Sequence, residues 1–571
     1  MASDAAAASA ATSRREMAGQ AILLGASGAA LAVRLYATRH VPIGYDGYWH
    51  VFSARNFVRE YTRVAHPPLF LLLVAACDRI AHHPLAYRAV SLAAGTAAVY
   101  LLGRVLANLG VAPAVAAIGT LLGAFSPDWI VLSCEVRSYT LCAAFLLAAL
   151  LFAPDLLRMD RLPSRRSRVA FSALMVLALL SHYAAALALA ALATAPLLLA
   201  VPSPSYRRAL GRCLPRRWRA DLTTFAAPVL AGAILYEELA KPWSRTLNYL
   251  AENYYRPGTE TVGSFLARNL ANTLALLAPL SVAGALGVGL LVLAVAAMWV
   301  GALAGPRDGP EWPGRAMPAA VLTLLLLIGM AAGVAGVYPF GGAVRHQFLL
   351  LLFALLASGI AGDALWRSLP GRGLRGALLG LALAALAWRF VGLLRSLSVP
   401  FPTGPSPEMV TFRAAFPRAR FVHVDQYSLI VFFTQYQDWD WRFEGRDRGN
   451  PFVERYALAR GGQTLTVVAH RDWWTMDFAD PRLYRDLVAA AAPDASPCLW
   501  IFSLRQWMPG LARRNLPATT EAVRAAAAGA GLRPARLLVE DEGIFAKLCH
   551  ERPAAVSGRP GPDRIGLAAS P

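Results

Sequence analysis

Apolar segments separated by short polar ones dominate the first 400 residues of the chain. Eleven such segments lie between Met17 and about Val399, and most approach the length of about 20 residues that a helix needs to cross a bilayer. The pattern predicts eleven transmembrane helices, near residues 17–37, 88–106, 112–131, 139–154, 169–183, 185–202, 222–237, 279–304, 317–337, 346–365 and 376–396. A shorter apolar stretch, Pro67–Ala81, opens with two prolines, so hydropathy alone does not decide whether it crosses.

The chain changes character after Val399. Short runs of β-branched and aromatic residues near 421–425, 464–468, 499–502 and 535–539 are typical of buried strands between helical stretches. We therefore expect a small α/β domain over residues 400–551. Segment 552–571 is rich in Pro, Gly, Ala and Ser and is expected to be disordered. Residues 1–16 lack a clear cleavage site and are expected to form a cytoplasmic tail.

Composition excludes the soluble classes of protein. Hydrophobic residues make up 57% of the chain and charged residues 16%, and the mean hydropathy is +0.45. An ordinary soluble domain has about 25% charged residues. A soluble fold cannot bury that much apolar surface, which excludes a soluble enzyme, a secreted domain and a disordered protein. The sequence therefore predicts a polytopic α-helical protein of the lipid bilayer.

The net charge of +20 indicates topology and not a nucleic-acid partner, because the basic residues cluster in short loops between apolar segments. Loop 155–168 contains five arginines and loop 203–220 contains six. Both loops and 367–375 fall in the cytoplasm if Pro67–Ala81 is an interfacial helix within one outer loop, 38–87. Eleven spans then place residues 400–551 on the periplasmic side of a bacterial inner membrane.

The same topology collects the polar clusters at the outer face. A transporter would instead place ionisable groups near the middle of the membrane, on broken helices of repeated halves. The candidate functional residues are Asp46, His50, His66, Glu135, Arg137, Tyr139, His182, Tyr183, Arg256, Arg345 and His346.

Each cluster also has a purely structural explanation. Asp46 precedes a segment with amphipathic helical spacing, so it is either the N-cap of an interfacial helix or a functional carboxylate. Glu135 and Arg137 are either an ion pair at the membrane interface or site residues. Arg345 begins a span after Gly341-Gly342, where an arginine can simply extend its charge to the interface. These alternatives stay open on residue type alone.

The order of the motifs is more specific than any one of them. Asp46 in the first outer loop is followed by His66-Pro67-Pro68-Leu69, by S-P-x-x-x-x-x-S-x-E-x-R-x-Y over 126–139, by Ser181-His182-Tyr183, and by G-G-x-x-R-H over 341–346. This ordered set resembles the membrane glycosyltransferases of the GT-C superfamily. The nearest groups are the protein O-mannosyltransferase and aminoarabinose transferase-like family, including its RgtA/B/C/D-type bacterial domain. The resemblance covers roughly residues 20–400.

The resemblance implies transfer of a sugar from a polyprenyl-phosphate donor to a cell-envelope acceptor at the outer face, with inversion at the anomeric carbon. In that family an acidic residue of the first outer loop acts as the base, which here falls on Asp46. The family often has Asp-Glu at this point, whereas Gly47 follows Asp46 here. In aminoarabinose transferases a lysine that meets the donor phosphate precedes the two prolines, and His66 takes that place.

The residue types agree with this chemistry. A carboxylate can take the proton of an attacking hydroxyl, and cationic donors can stabilise a departing phosphate. We assign donor-phosphate binding to His66, Arg137, Arg256 and Arg345, and a substrate-binding or supporting role to His50, Glu135, Tyr139, His182, Tyr183 and His346. No cofactor is expected. The outer loops of the membrane domain contain no D-x-D pair, so no metal is expected either, although Asp46, His50 and His66 leave a metal site as an alternative.

Two further alternatives remain open. A flippase or transporter of lipid-linked saccharides is the rival function, and it would move the lipid without consuming it. Cys498 and Cys549 either form a disulfide in an oxidising compartment or are two core cysteines.

Overall fold

The computed structural model describes most of the chain in two compact units, Met1–Pro402 and Thr403–Pro571. The described residues are 2–41, 43, 45–55, 66–240, 253–277, 284–304, 311–342, 344–397, 420–423, 442–447, 449–460, 463–470, 479–491, 498–504, 516–540 and 543–550. The tail expected to be disordered, 552–571, lies outside them. Each unit is described by itself.

The secondary structure described in the first unit is helical. Its helices are α1 (Ala2–Ala37), α2 (Tyr45–Arg55), α3 (Pro68–Ile80), α4 (Pro84–Asn108), α5 (Pro113–Ala124), α6 (Pro127–Cys134), α7 (Tyr139–Leu150), α8 (Ala153–Leu157), α9 (Arg165–Ser181), α10 (Ala185–Leu199), α11 (Pro204–Leu235), α12 (Val262–Leu277), α13 (Gly284–Leu303), α14 (Trp312–Val334), α15 (Val344–Ser368) and α16 (Gly371–Ser396). A π-helical turn, Tyr236–Ala240, follows α11.

Prolines set several of these boundaries. Pro68, Pro84, Pro113, Pro127 and Pro204 each stand in the first turn of a helix, where the missing N–H costs nothing and the fixed φ favours the helix. The third predicted span, 112–131, is therefore two helices, α5 and α6, which meet at an angle of 51°. The break lies at the start of the polar motif over 126–139, which leads to Glu135 and Arg137.

The chain is a multi-pass membrane protein. Over the described residues, six helices are long and apolar enough to cross a membrane, and eight if each of two bent pairs forms one span. The helix Tyr139–Leu150 is apolar but shorter. The predicted interfacial stretch, Pro67–Ala81, is the 13-residue helix α3. The count of eleven spans and the periplasmic side of the C-terminal unit stay predictions.

One predicted loop is wrong. The basic segment 203–220 was expected to be a loop before a span at 222–237, but both belong to the 32-residue helix α11. Ser203 caps this helix by accepting a hydrogen bond from the Tyr206 amide at 3.2 Å, and Pro204 begins it. Six of the 18 residues of this segment are arginine, which is a good helix former, so polarity alone did not indicate a loop.

Small residues allow the helices of the first unit to pack closely. A Cβ at Gly103 would collide with Leu23 of α1 and with Thr120 of α5, and a Cβ at Gly301 would collide with the backbone of Ala361. Membrane helices use small residues at such contacts because close backbone approach increases van der Waals packing. The result is a helical interior against which the polar outer segments are held.

The second unit contains a seven-stranded mixed sheet. Its strands are β1 (Arg420–His423), β2 (Arg442–Asp447), β3 (Val453–Arg460), β4 (Gln463–His470), β5 (Cys498–Leu504), β6 (Leu532–Glu540) and β7 (Gly543–His550), in the order β2-β3-β4-β1-β5-β7-β6. Strand β1 runs parallel to β4 and β5, and the other pairs are antiparallel. Two helices, α17 (Pro481–Ala491) and α18 (Leu516–Gly529), complete the described part.

The four predicted strand segments overlap β1, β4, β5 and β6, and the α/β character of this unit is confirmed. Cys498 and Cys549 face each other across β5 and β7 and form a disulfide, with their Cα atoms 4.1 Å apart. Of the two alternatives for this pair, the structure therefore has the disulfide.

Candidate functional site

The carboxylate of Asp46 lies between two arginines from distant parts of the chain. Its Oδ2 atom is 2.9 Å from Nη1 of Arg345 and also contacts Nη2 of Arg137. Asp46 is the second residue of α2, Arg137 lies between α6 and α7, and Arg345 is in the first turn of α15. Three polar residues that the sequence separated into different outer loops thus meet at one point.

This contact shows what the side chains of two of these residues touch. The Asp46 side chain is directed at two guanidinium groups, which a helix N-cap alone does not explain. Arg345 likewise directs its side chain at a carboxylate and not simply toward an interface. The Arg137 side chain is only 7% exposed, whereas those of Asp46 and Arg345 are about one-third exposed. One side of the group is therefore open to a ligand.

Ser91 of α4 fixes the backbone of Arg137. Its hydroxyl donates to the Arg137 carbonyl at 2.9 Å and accepts from the Arg137 amide at 3.3 Å. The Thr140 hydroxyl donates to the Ser91 carbonyl at 3.0 Å, so α7 is held to the same point. The guanidinium of Arg137 lies 5.7 Å from the ring centre of Tyr139, within the range of a cation–π contact.

A glycine turn positions Arg345. Gly341 has φ +72°, a conformation that glycine adopts without strain, and a Cβ there would collide with Asn269 of α12. A Cβ at Gly342 would collide with Asn253. Phe340, just before the turn, is buried, and its amide donates to the Asn253 carbonyl at 3.0 Å. The turn therefore has both the dihedral angle and the close contacts that require glycine.

Two histidines pack beside Asp46. The ring centres of His50 and His66 are 4.5 Å apart, and His50 meets the edge of Phe70 at 5.6 Å. Burial lowers the pKa of His50 to about 3. Burial also lowers the pKa of His66 well below its usual value, and the neighbouring His50, His182 and Arg345 add to this effect. His66 is therefore neutral at pH 7, so it would meet a phosphate as a hydrogen-bond donor and not as a cation.

An aromatic group lies on the other side of Arg137. The ring of His182 is 4.9 Å from that of Tyr139 and 4.9 Å from that of Tyr183, and Phe348 of α15 packs on both Tyr139 and His182. The His182 ring is oriented by the Ala184 amide, which donates to its Nδ1 at 3.1 Å. These rings form an apolar wall next to the cations.

Glu135 and His346 adjoin the same group. Burial raises the pKa of Glu135, and the charges of Arg345 and Arg88 act in the opposite direction. His346 follows Arg345 in α15, and its carbonyl accepts a hydrogen bond of 3.1 Å from the Tyr338 hydroxyl.

Arg256 is joined to this region through its backbone segment. The Tyr255 amide donates to the Gly333 carbonyl at 3.1 Å, and the Asn253 carbonyl accepts from Phe340. Segment 253–260 therefore runs beside the segment that leads to Arg345. Arg256 itself is exposed.

Some residues that hold the site were not predicted from the sequence. Besides Ser91, they include two buried arginines. Arg88 donates to the Thr38 carbonyl and, at 2.6 Å, to the Val41 carbonyl beyond the end of α1. Arg34 donates from Nε to the Ser133 hydroxyl at 3.0 Å and from Nη1 to the Ala124 carbonyl at 3.1 Å, across the break between α5 and α6. An arginine within an apolar segment was the available signal, because such a charge is costly in a bilayer.

The arrangement can do two things chemically. Two guanidinium groups with one shared carboxylate carry a net positive charge, and guanidinium groups bind phosphate oxygens well. The carboxylate between them can accept a proton from a hydroxyl that approaches the open side. Within the described residues, no group of three or more His, Cys, Asp or Glu side chains is arranged to hold a metal ion.

Comparison with known proteins shows which known fold this chain resembles. No family model and no curated protein matches the chain. The crystal structure of ArnT from Cupriavidus metallidurans bound to undecaprenyl phosphate is similar, with a TM-score of 0.53 and 13% sequence identity, over 92% of this chain and 97% of that one. The apo structure of the same protein gives a TM-score of 0.49 and 12% identity, over 94% and 98% of the two chains. The fold of this chain is ArnT-like, and at the level of the fold this supports the GT-C resemblance.

Proposed function

We propose that this protein is an inner-membrane glycosyltransferase that moves a sugar from a polyprenyl-phosphate donor to a cell-envelope acceptor at the periplasmic face, with inversion. The acceptor class is a lipid, a polysaccharide or a protein. The observation that carries the proposal is the Asp46 carboxylate between Arg137 and Arg345, at the outer segments of an ArnT-like fold. The solved ArnT structure with this fold holds undecaprenyl phosphate.

In the absence of donor, Asp46 occupies the two guanidinium groups that a phosphate would need. The donor phosphate is a diester with one negative charge and two unesterified oxygens, so it can take the place of the Asp46 carboxylate on Arg137 and Arg345. Binding of the donor would then release the carboxylate beside the anomeric carbon. Asp46 thus acts as a temporary counter-ion first and as the base afterwards.

The reaction then needs one base and one stabilised leaving group. The acceptor hydroxyl oxygen attacks the anomeric carbon from the face opposite the phosphate, and its proton passes to Asp46. The bond between the anomeric carbon and the phosphate oxygen breaks, and the electron pair leaves with the polyprenyl phosphate. Arg137 and Arg345 stabilise the charge that develops on that phosphate. Inversion follows from attack opposite the leaving group.

The neighbouring residues support these steps. His66 donates a hydrogen bond to the phosphate, and Arg256 joins the phosphate site from its adjoining segment. The rings of Tyr139, His182 and Tyr183 bind the sugar or lipid next to the phosphate, and His50, Glu135 and His346 hold the charged groups in place.

A binding and transfer experiment tests the proposal. Purified protein is titrated with undecaprenyl phosphate, and binding is followed by the shift of its thermal unfolding midpoint. A panel of undecaprenyl-phosphate sugars is then incubated with envelope extract, and release of undecaprenyl phosphate is measured. We expect binding and donor-dependent release. A protein that moves the lipid-linked sugar across vesicle membranes while the sugar stays attached would be a transporter, and the proposal would be wrong.

Two measurements in cells complete the test. Mass spectrometry of envelope glycans from a deletion strain should reveal the sugar and the acceptor through the species that disappears. An alkaline phosphatase fusion at about residue 410 should be active, because we propose that the segment after Val399 is periplasmic. An inactive fusion there, with an active cytoplasmic reporter at the same position, would overturn the proposed orientation.

A further inference from the structure

We infer that Asp78 is a positioning residue for Asp46, because it fastens the helix that carries Asp46 to the next two helices of the chain. The inference rests on the proposed function. Asp78 lies in the last turn of α3, and its side chain is only 12% exposed although it is the single carboxylate of that apolar helix.

Three side chains meet at this carboxylate. Arg55 Nε donates to both oxygens, at 2.9 Å and 3.1 Å. The Tyr87 hydroxyl donates to Oδ1 at 3.0 Å, and His82 Nδ1 lies 2.9 Å from the same oxygen. Arg55 is the last residue of α2, and Tyr87 is in the first turn of α4. One buried carboxylate therefore joins α2, α3 and α4.

The opposite end of α2 is attached to the start of α3. His50, one turn after Asp46, stacks on His66 and packs against Phe70 in the first turn of α3. Helix α2 is thus held to its neighbour at two points. The stacked rings fix its position near Asp46, and the Arg55–Asp78 contact fixes its direction.

This attachment acts on the base and not on the two arginines of the phosphate site. Asp46 is on α2, whereas Arg137 and Arg345 belong to other elements and have their own supports, Ser91 and the Gly341 turn. A displacement of about 1 Å at a reacting group can reduce the rate about 100-fold. Loosening α2 should therefore reduce turnover and leave the affinity for the donor nearly unchanged.

The variants separate two contacts of Asp78, the one with Arg55 of α2 and the one with Tyr87 of α4. Arg55→Gln removes the charge that ties α2 to Asp78, and we expect kcat to fall about 10- to 100-fold with the donor KM within about threefold of wild type. Arg55→Lys keeps the charge but loses the two-oxygen contact and should be intermediate. Tyr87→Phe is the matched control. It removes one hydrogen bond from the same carboxylate but leaves α2 attached, so kcat should stay within about twofold.

Hydrogen exchange measured by mass spectrometry provides a readout that does not need turnover. The peptide covering residues 45–55 should exchange faster in Arg55→Gln than in wild type or Tyr87→Phe. If Asp78→Asn folds, it should show the same faster exchange, because the neutral amide holds the Arg55 charge less strongly.

Each outcome has one meaning. If the wild-type protein transfers no sugar, the proposed function fails, while the exchange measurement still tests the attachment. Unchanged exchange of residues 45–55 in Arg55→Gln overturns the attachment. Faster exchange with wild-type kcat overturns the positioning role, and an equal loss of kcat in Tyr87→Phe overturns it as well.

Discussion

Two aspartates, each bound to two arginines, lie near opposite ends of helix α15. After the proposed orientation of the chain, we call Asp46 with Arg137 and Arg345 the outer group, and Asp363 with Arg315 and Arg367 the inner group. Arg345 and Asp363 are 18 positions apart on the same helix, which corresponds to about 27 Å. The two groups have the same composition but differ in what remains available for a ligand.

The carboxylate of the inner group is closed to a ligand. Asp363 is fully buried and accepts hydrogen bonds from Arg315 at 2.7 Å, from Arg367 at 2.8 Å and from the Ala112 amide at 2.8 Å. Both arginines also donate to the Gly110 carbonyl. The charged side chains of this group therefore hold α5, α14 and α15 together.

The outer group is open. Its carboxylate is 30% exposed, and among the described residues the buried Nε of Arg345 has no hydrogen-bond partner. Buried donors in proteins are normally satisfied, so an unsatisfied guanidinium N–H next to an exposed carboxylate favours a ligand. The Asp363 carboxylate therefore has its partners within the protein, whereas the exposed side of Asp46 is where we propose that the donor binds.

The largest expected effect is the loss of sugar transfer in the Asp46→Asn variant. The amide cannot take the proton, so transfer should fall on the order of 100- to 10,000-fold. The arginines lose their carboxylate competitor, so undecaprenyl phosphate should bind as tightly as to wild type or more tightly. Turnover and lipid binding are measured on the same preparation, and the thermal unfolding midpoint is recorded as a control for folding. Weaker lipid binding would show that Asp46 is needed to orient the arginines and does not compete with the phosphate.

The next largest effect should distinguish Arg345, at one end of α15, from Arg367, at the other end. Arg345→Lys replaces a planar fork with a point charge, so transfer should fall about 10- to 100-fold even though the charge is kept. Arg345→Ala should be nearly inactive, and the same order is expected at Arg137. Arg367→Lys, the matched change at the inner end, should keep nearly wild-type activity because its side chain is 58% exposed. Full activity of Arg345→Lys at subsaturating donor would make Arg345 a membrane anchor only.

At the inner end the effect should be on stability. Asp363→Asn leaves two arginines without their counter-charge, and we expect a loss of about 1–3 kcal/mol in the free energy of unfolding. Transfer per folded molecule should stay within about threefold of wild type. Thermal unfolding in detergent, together with the specific activity of the folded fraction, checks both values. A selective loss of transfer without loss of stability would remove the distinction between the two groups.

The smallest expected effect is a pH dependence at the outer end. Burial lowers the pKa of His50 from its ordinary value of 6.5 to about 3 in the folded protein, so between these pH values the unfolded chain binds the additional proton. The free energy of unfolding therefore decreases as the pH falls below 6.5, by up to about 1.4 kcal/mol for each pH unit. The drop in unfolding midpoint between pH 7.5 and 5.5 should be smaller in His50→Gln, whereas Asp363→Asn should keep the wild-type drop.

The sequence predicted a helix where an apolar segment is long enough to indicate a membrane span. The predicted span 88–106 corresponds to α4, Pro84–Asn108, and the span 346–365 to α15. Strand β2 was missed because its sequence, Arg-Phe-Glu-Gly-Arg-Asp, is polar, as is common for a strand at the edge of a sheet.

The site was predicted as a set of outer residues but not as a set of contacts. Asp46 and Arg345 are 299 positions apart, and no local pattern encodes their pairing. Ser91 and Asp78 are single polar residues within largely apolar helices, whose periodicity is the same whether the polar group is paired or not. Contacts of this kind depend on how helices pack in three dimensions.

The disulfide of the second unit encloses three of the seven strands of its sheet in one covalent ring. Cys498 and Cys549 are 51 positions apart, and the ring they close includes β5, α18, β6 and β7. Closing a ring of that size reduces the conformational entropy of the unfolded chain by an amount equivalent to about 4 kcal/mol. A typical domain is stable by only about 5–15 kcal/mol. The redox state of the medium therefore controls a large share of the stability of this unit, and protein prepared under reducing conditions should lose these strands first.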